Sequence, residues 1–237
     1  MNGILLVDKP KGWTSFDVVA KVRGVLKKGL ATKSSLLETS KRKIRVGHTG
    51  TLDPLATGLL VLLVGDYTKK TPELTKLDKT YDVTMKLGET STTGDEEGEK
   101  IVTSKQIPSN EEIVKVLQEF IGELQQTPPA FSAIKINGKR AYKLAREGKE
   151  VKIEPRKVTI YSVTLTNYNY PFVNFTTEVS SGTYIRSLVH DVGEKLGTGA
   201  YMSDLRRIKV GTFDVSQSIS MQDVDHNLIL SSVQTID

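Results

Sequence analysis

Apolar and polar residues alternate most regularly at Tyr81, Val83, Met85 and Leu87, a spacing of two that places all four on one face of a strand. Val173, Phe175, Thr177 and Val179 repeat that spacing, and Val158, Ile160, Val163 and Leu165 follow it imperfectly. Met1 to Val7 reads as a short strand ending in the turn Lys9-Pro10-Lys11-Gly12. A helix is expected from Thr14, whose hydroxyl caps free N–H groups while Asp17, three residues on, completes a capping box. Phe16, Val19, Val22 and Leu26 then form its apolar stripe, widened by Val18 and Val25. Between Lys27 and Lys43 the pattern dissolves into Gly, Ser, Thr and charge and predicts a flexible excursion with at most a short helix. Ile101 and Val102 predict a strand returning from the turn-rich stretch that ends at Gly98. Ser109 with Glu112 opens a second helix that buries Ile113, Leu117, Phe120 and Ile121. Ser180-Ser181-Gly182 closes a strand, after which Thr183 is expected to cap a helix running to Leu196. Long strands mixed with helices, and no internal repeat, predict an α+β fold rather than repeated βαβ units.

Charge adds a partner class. The 237 residues carry a net +5, unevenly spread. Residues 21–45 hold nine Lys/Arg against Glu38 alone, and Lys135 to Lys157 hold nine against three acids. The stretch Gly88 to Glu99 has five acids and no base, and the chain after Gly211 is acidic. Two basic segments suit a polyanion if the fold joins them, and read equally well as solvated faces. The absence of cysteine excludes disulfides and thiolate chemistry. The longest apolar run, Leu59 to Val64, is six residues, too short for a membrane span. No signal-peptide pattern opens the chain, so a soluble cytoplasmic protein is the expectation.

Chemistry concentrates in Arg45 to Leu60, RVGHTGTLDPLATGLL. Gly47, Gly50 and Gly58 permit tight backbone geometry, and Pro54 restricts Asp53 to extended or turn conformations. An aspartate fixed in this way serves as a nucleophile or base; on physics alone a turn or cap role weighs at least as much. His48 has no neighbouring His or Cys, so no metal site is expected. Gly47-x-x-Gly50 lacks the Lys-Ser/Thr of a phosphate-binding loop, so a nucleotide cofactor is unsupported. No helix-turn-helix or zinc spacing accompanies the basic segments, which disfavours a DNA-binding regulator.

The blocks MNGILLVDKPKGWTS, GHTGTLDPLATG, KTYDVTMKLG, PPAFSAIKINGKRAY, SSGTYIRSLVHDVGEKLG and YMSDLRR, in that order, closely resemble the bacterial tRNA pseudouridine-55 synthases over roughly residues 1–220. The resemblance implies a pseudouridine synthase fold, an extended mixed and mainly antiparallel sheet flanked by helices and RNA-facing loops. It implies isomerisation of a tRNA uridine, at position 55 of the TΨC loop, without any cofactor. Asp53 corresponds to the catalytic aspartate, Tyr81 to the tyrosine that stacks on the target base, and Arg186 to the arginine paired with the carboxylate. Leu205 matches an apolar residue beside the base, and His48 the loop histidine that fills the space left by the extruded nucleotide. Lys9 and Pro10 fall in a motif supporting the site wall, and Lys135 and Tyr142 in an RNA-facing block. Taken singly, Tyr81 and Leu205 also read as core, Arg186 as a helix-surface cation, and Lys135 and Tyr142 as a solvated base and a packed ring.

The chain departs from the family pattern in three places. About sixteen residues within Lys28 to Lys43 look inserted and carry five Lys/Arg, so the insertion reads either as an added RNA contact or as a solvated loop. After Gly211 too few residues follow for the C-terminal RNA-binding PUA domain of many relatives, so residues 1–220 are expected to form the catalytic domain and 221–237 a short tail. Thr92 stands where related sequences commonly have aspartate. The implied partner is tRNA, above all its T arm; no protein partner is implied, and a monomer fits. Two other functions fit the same residues: a synthase acting on another RNA site, and a non-catalytic RNA-binding or RNA-folding protein.

Overall fold

A computed structural model describes all residues except 34–43, 133, 137, 149, 150, 223, 236 and 237. In chain order the elements are β1 (Gly3–Lys9), α1 (Ser15–Lys33), β2 (Val46–His48), β3 (Thr57–Val64), α2 (Thr71–Leu74), β4 (Lys79–Leu87), β5 (Glu89–Ser91), β6 (Lys100–Val102), α3 (Asn110–Gln118) and β7 (Gly122–Gln126). There follow β8 (Lys135–Ile136), β9 (Lys139–Arg140), α4 (Ala141–Arg146), β10 (Arg156–Asn169), β11 (Phe172–Val179), α5 (Ile185–Lys195), β12 (Ala200–Val210), β13 (Phe213–Asp214), β14 (Ile219–Ser220) and α6 (His226–Ser232). The chain divides into two compact units, Met1–Lys79 with Arg206–Asp237 and Thr80–Leu205. Both divisions fall inside strands, β4 and β12. The expected α+β class is observed, with parallel and antiparallel pairs in the sheet.

In the first unit the strand order is β14-β1-β3-β12, with β2 on β3 and β13 on β12. The apolar run Leu59 to Val64 is a strand buried on both faces, which is why it does not alternate. Leu60, Leu62 and Val64 join one core cluster, and Leu59, Val61 and Leu63 the other. α1 covers the first cluster with Val18, Val19, Val22 and Leu26, and its predicted start is observed: Thr14 N–H and Oγ1 donate to Asp17 Oδ2 at 2.8 and 2.6 Å, and Asp17 N–H donates to Thr14 Oγ1 at 3.1 Å. Phe16, assigned to the apolar stripe, is instead 64% exposed. The helix also continues to Lys33, past the expected break at Lys27; the rest of the proposed insertion, 34–43, lies outside the described residues. Continuation follows from packing, because Gly29 presents bare backbone to the His226 ring of α6, where a Cβ would collide. The acidic C-terminal stretch, read as a tail, contributes Met221, Val224 and Ile229 to this core.

The second unit orders its strands β12-β4-β11-β10-β7 and carries the hairpins β5–β6 and β8–β9. Tyr81, Val83, Met85 and Leu87 are all buried, as are Val173, Phe175, Thr177 and Val179. β10 alternates imperfectly because its register against β11 shifts twice, between Ile160 and Ser162 and between Leu165 and Asn167. The capping box of Ser109 and Glu112 is formed on α3, burying Ile113 and Leu117, while Ile121 lies beyond the helix and is exposed. Thr183 does not cap α5: its hydroxyl donates to the Ser180 carbonyl at 2.9 Å, and Gln126 Oε1 instead accepts the Tyr184 N–H at 2.7 Å. No helix among the described residues is long and apolar enough to cross a membrane.

Candidate active site

Asp53 sits between two buried anchors, Leu52 and Leu55, and is itself half-buried, so the loop is held down on both sides of the carboxylate. Four ties to other segments fix it. Ser15 Oγ accepts the Leu52 N–H at 2.8 Å and donates to the Leu52 carbonyl at 3.1 Å. Gly12, at φ +85°, donates its N–H to the Pro54 carbonyl at 2.8 Å. Lys9 Nζ bridges the carbonyls of Pro10, Trp13 and Pro54 at 2.9, 2.6 and 3.2 Å. Arg207 clamps the two ends of the loop, Nε to the Leu59 carbonyl at 2.7 Å and Nη2 to the Gly50 carbonyl at 3.1 Å. Gly58, at φ +96° and paired in register with Arg207, permits this approach, since a Cβ there would collide with the Arg207 backbone. Within the loop, Ala56 N–H closes a turn on the Asp53 carbonyl at 3.1 Å.

The surroundings are strongly cationic. Lys9 and Arg207 are fully buried and Lys79 nearly so. Burial pushes the Lys9 ammonium down to about 8; attraction to Asp53 opposes that shift and repulsion from Arg207 adds to it. Burial, then Arg207, pushes Lys79 down to about 8 as well. His48, at the end of β2, is held below its ordinary value by burial and then by Arg207, which favours the neutral imidazole. Its Nδ1 is buried with no hydrogen-bond partner among the described residues.

The lysines make a testable signature. Below about pH 8 each is charged in the folded and unfolded chain alike, and the burial penalty acts in full. Between about 8 and the unfolded value of 10.5 the unfolded chain binds more protons, so stability rises with pH, by at most about 1.4 kcal/mol per unit for each lysine. Urea midpoints measured from pH 7.5 to 9.5 are expected to climb, and the climb is expected to shrink in Lys9→Met. A flat profile would contradict the burial of charged lysines at these positions.

The second unit holds Tyr81, Arg186 and Leu205. Tyr81 projects from the buried face of β4, and Leu205 is buried in β12. Arg186, on the first turn of α5, is 5% exposed rather than a surface cation. Its Nη1 lies 3.2 Å from Asp95 Oδ2 and donates to the Thr93 carbonyl at 3.1 Å, and its Nη2 donates to the Phe131 carbonyl at 2.7 Å. Asp95 Oδ1 accepts Thr93 Oγ1 at 2.5 Å and the Glu97 N–H at 3.1 Å, so the anchoring carboxylate is itself fixed. Thr92, the departure from the family pattern, closes the same loop by accepting the Glu99 N–H on its hydroxyl at 3.1 Å. Lys135 lies in β8 and Tyr142 in the first turn of α4. Sequence reasoning missed Asp95 and Arg207. Asp95 was visible only as one of five acids in a base-free run, and Arg207 only as the second arginine of YMSDLRR. Among the described residues no group of three or more His, Asp or Glu is placed to hold a metal ion.

The loop and its anchors lie within a chain-long similarity. Residues 36–185 match the model of the TruB family pseudouridylate synthase N-terminal domain, and residues 186–234 that of the tRNA pseudouridylate synthase B C-terminal domain. The tRNA pseudouridine synthase B of Clostridium acetobutylicum is 44% identical over 238 residues, covering 100% of this chain and 77% of that protein. The tRNA pseudouridine synthase B of Aquifex aeolicus is 44% identical over 225 residues, covering 94% and 73%. Among solved structures, the crystal structure of a Cbf5-Nop10-Gar1 complex superposes with a TM-score of 0.71 at 28% identity, over 98% of this chain and 60% of that one. Two family models that together match residues 36–234, and relatives above 40% identity over nearly all of this chain, leave one assignment: the chain belongs to the TruB family of pseudouridylate synthases.

Proposed function

We propose that this protein isomerises uridine to pseudouridine in tRNA, at position 55 of the T arm, with Asp53 as the catalytic carboxylate. The observation that carries this reading is the mounting of Asp53: a half-exposed carboxylate on a loop clamped by Lys9, Gly12, Ser15 and Arg207. An aspartate serving only as a turn residue needs no such support. Family membership supplies the substrate class.

The reaction breaks the C1′–N1 bond, turns the uracil and forms a C1′–C5 bond; N1 gains a proton and C5 loses one. Atoms are conserved, so neither redox nor nucleotide energy is needed. A carboxylate fits because it can add to C1′ of the ribose, or take the 2′ proton and leave a glycal, or add to C6 of the base. Arg186 is proposed to hold Asp53 by charge-assisted hydrogen bonds, with Asp95 positioning the guanidinium. A buried ion pair adds little to stability on balance, so a nearly dry Arg186–Asp95 pair fits a positioning role. Tyr81 is proposed to stack on the detached uracil and keep it from escaping, and Leu205 to pack beside it. His48, neutral and with a buried unpartnered nitrogen, is proposed to occupy the gap left by the extruded nucleotide. Lys135 and Tyr142 are proposed to face the RNA. Extrusion costs a few kcal/mol, to be met by phosphate contacts and T-arm shape. The enzyme so described works in the cytoplasm, where tRNA is modified.

Release of tritium from 5-³H-uridine tRNA tests the reaction directly, because C5 must lose its hydrogen as the new bond forms. Mapping the product at nucleotide resolution then tests the position. Release with all product at position 55 is expected. Product elsewhere would reassign the target, and no release would leave only an RNA-binding protein.

A further inference from the structure

Phe16 is the residue on which the helical pattern fails: placed in the buried stripe by spacing, it stands 64% exposed on the first turn of α1. An aromatic ring costs free energy when left in water, and this one is not isolated. An open groove of about 380 Å³ lined by Gly12, Trp13, Asp17, Ala20 and Lys21 runs along the same turns of α1; Phe16 does not line it, but helix spacing sets it next to Asp17 and one turn before Ala20, at the rim. The exposed face of α1 continues the groove with small residues and cations. Ala20 and Lys21 are exposed, a Cβ on Gly24 would meet nothing within 4 Å, and Lys27 follows one turn later. Asp17 is the only acid among the residues lining the groove, and the Thr14 N–H and hydroxyl engage its carboxylate; Lys21 is the wall's exposed cation.

The position of the groove connects it to the reaction. Its wall residue Gly12 donates to the Pro54 carbonyl, and Lys9 Nζ joins the Trp13 and Pro54 carbonyls, so two wall residues are tied to the residue that follows Asp53. An RNA strand that delivers a ribose to Asp53 has neighbouring nucleotides within reach of this wall. Aromatic faces take bases of any identity, and lysines at the rim take phosphates, the pattern of single-stranded RNA binding.

On the reading that the substrate is RNA, we infer that the groove between the Lys9–Thr14 turn and the first turns of α1 holds a nucleotide of the substrate other than the target, its base against Phe16 and its phosphate at Lys21. The two contacts assigned here, a ring face at Phe16 and a phosphate at Lys21, select strand geometry rather than base identity.

Trp13 is the only tryptophan in the chain, so its emission reports occupancy of the groove without any label. The Asp53→Asn protein is titrated with a T-arm stem-loop, and steady-state kinetics on tRNA are measured in the Asp53 background. RNA is expected to quench Trp13. Phe16→Ala is expected to weaken stem-loop binding about tenfold and to raise KM far more than it lowers kcat, with Phe16→Tyr restoring both. Lys21→Gln is expected to weaken binding and to reduce the salt slope by about one. Wild-type affinity, KM and salt slope in both Phe16→Ala and Lys21→Gln would overturn the assignment. Binding is read apart from turnover: an inactive wild type that shows both losses sinks the enzymatic reading and keeps the groove. An active wild type whose variants are unchanged does the reverse.

Discussion

Asp53→Asn is expected to abolish tritium release, a loss of about 10⁴-fold or more, while RNA affinity stays within a few-fold of wild type. Asparagine matches aspartate in shape, and neighbouring backbone at Gly50, Leu52, Pro54 and Leu59 is tied independently of the carboxylate's charge, so the loop is expected to keep its conformation. What disappears is the negative charge proposed to add to the sugar or base or to take the 2′ proton. The substitution carries a second signature independent of turnover. Asp53 supports the Lys9 ammonium against burial and Arg207, so its removal is expected to push Lys9 below its value of about 8. The rise of stability with pH then begins at lower pH. A variant with full turnover would refute Asp53 as the catalytic group. Lost turnover with an unmoved Lys9 would place the carboxylate farther from the lysine than the structure does.

The sequence disclosed elements whose causes are local. Period two in Tyr81 to Leu87 marks β4, and the Ser109–Glu112 box marks the start of α3, because a pleat or a first turn is decided by residues one to four apart. The Asp53 loop was legible for the same reason, since glycines and a proline announce their own backbone. Features decided at a distance were not. β12 carries arginines and an aspartate through a strand, and only its neighbours in the sheet make that acceptable. α1 outruns its pattern because His226, nearly two hundred residues later, packs on Gly29. Arg186 finds Asp95 across 91 positions and Arg207 finds Gly50 across 157, separations at which no spacing rule operates. Phe16 failed in the opposite sense: its spacing was right for burial, and nothing local reveals that its side of the helix faces solvent.

Arg207 is the residue whose loss is expected to cost the fold most. Its side chain is fully buried, and its two arms hold carbonyls at the opposite ends of the loop that displays Asp53. Arg207→Met keeps much of the volume but takes the donor from both carbonyls, at about 1–3 kcal/mol each. Relief of repulsion on Lys9 and Lys79, both pushed down in part by Arg207, offsets some of this. A net destabilisation of about 2–4 kcal/mol is expected in urea, with turnover down about 10²-fold in the protein that remains folded, because a carboxylate displaced by an ångström loses its attack geometry. Arg207→Lys can reach one carbonyl but not both and is expected to fall between. The titrations separate this account from simple core damage. Removing the guanidinium is expected to raise the Lys9 and Lys79 pKa values above about 8 and to lift His48 toward its ordinary value, measurable as an upward move in the pH at which stability begins to rise. A core defect alone lowers stability equally at every pH. Arg207→Met with wild-type kcat would show that the loop holds Asp53 in place without its clamp.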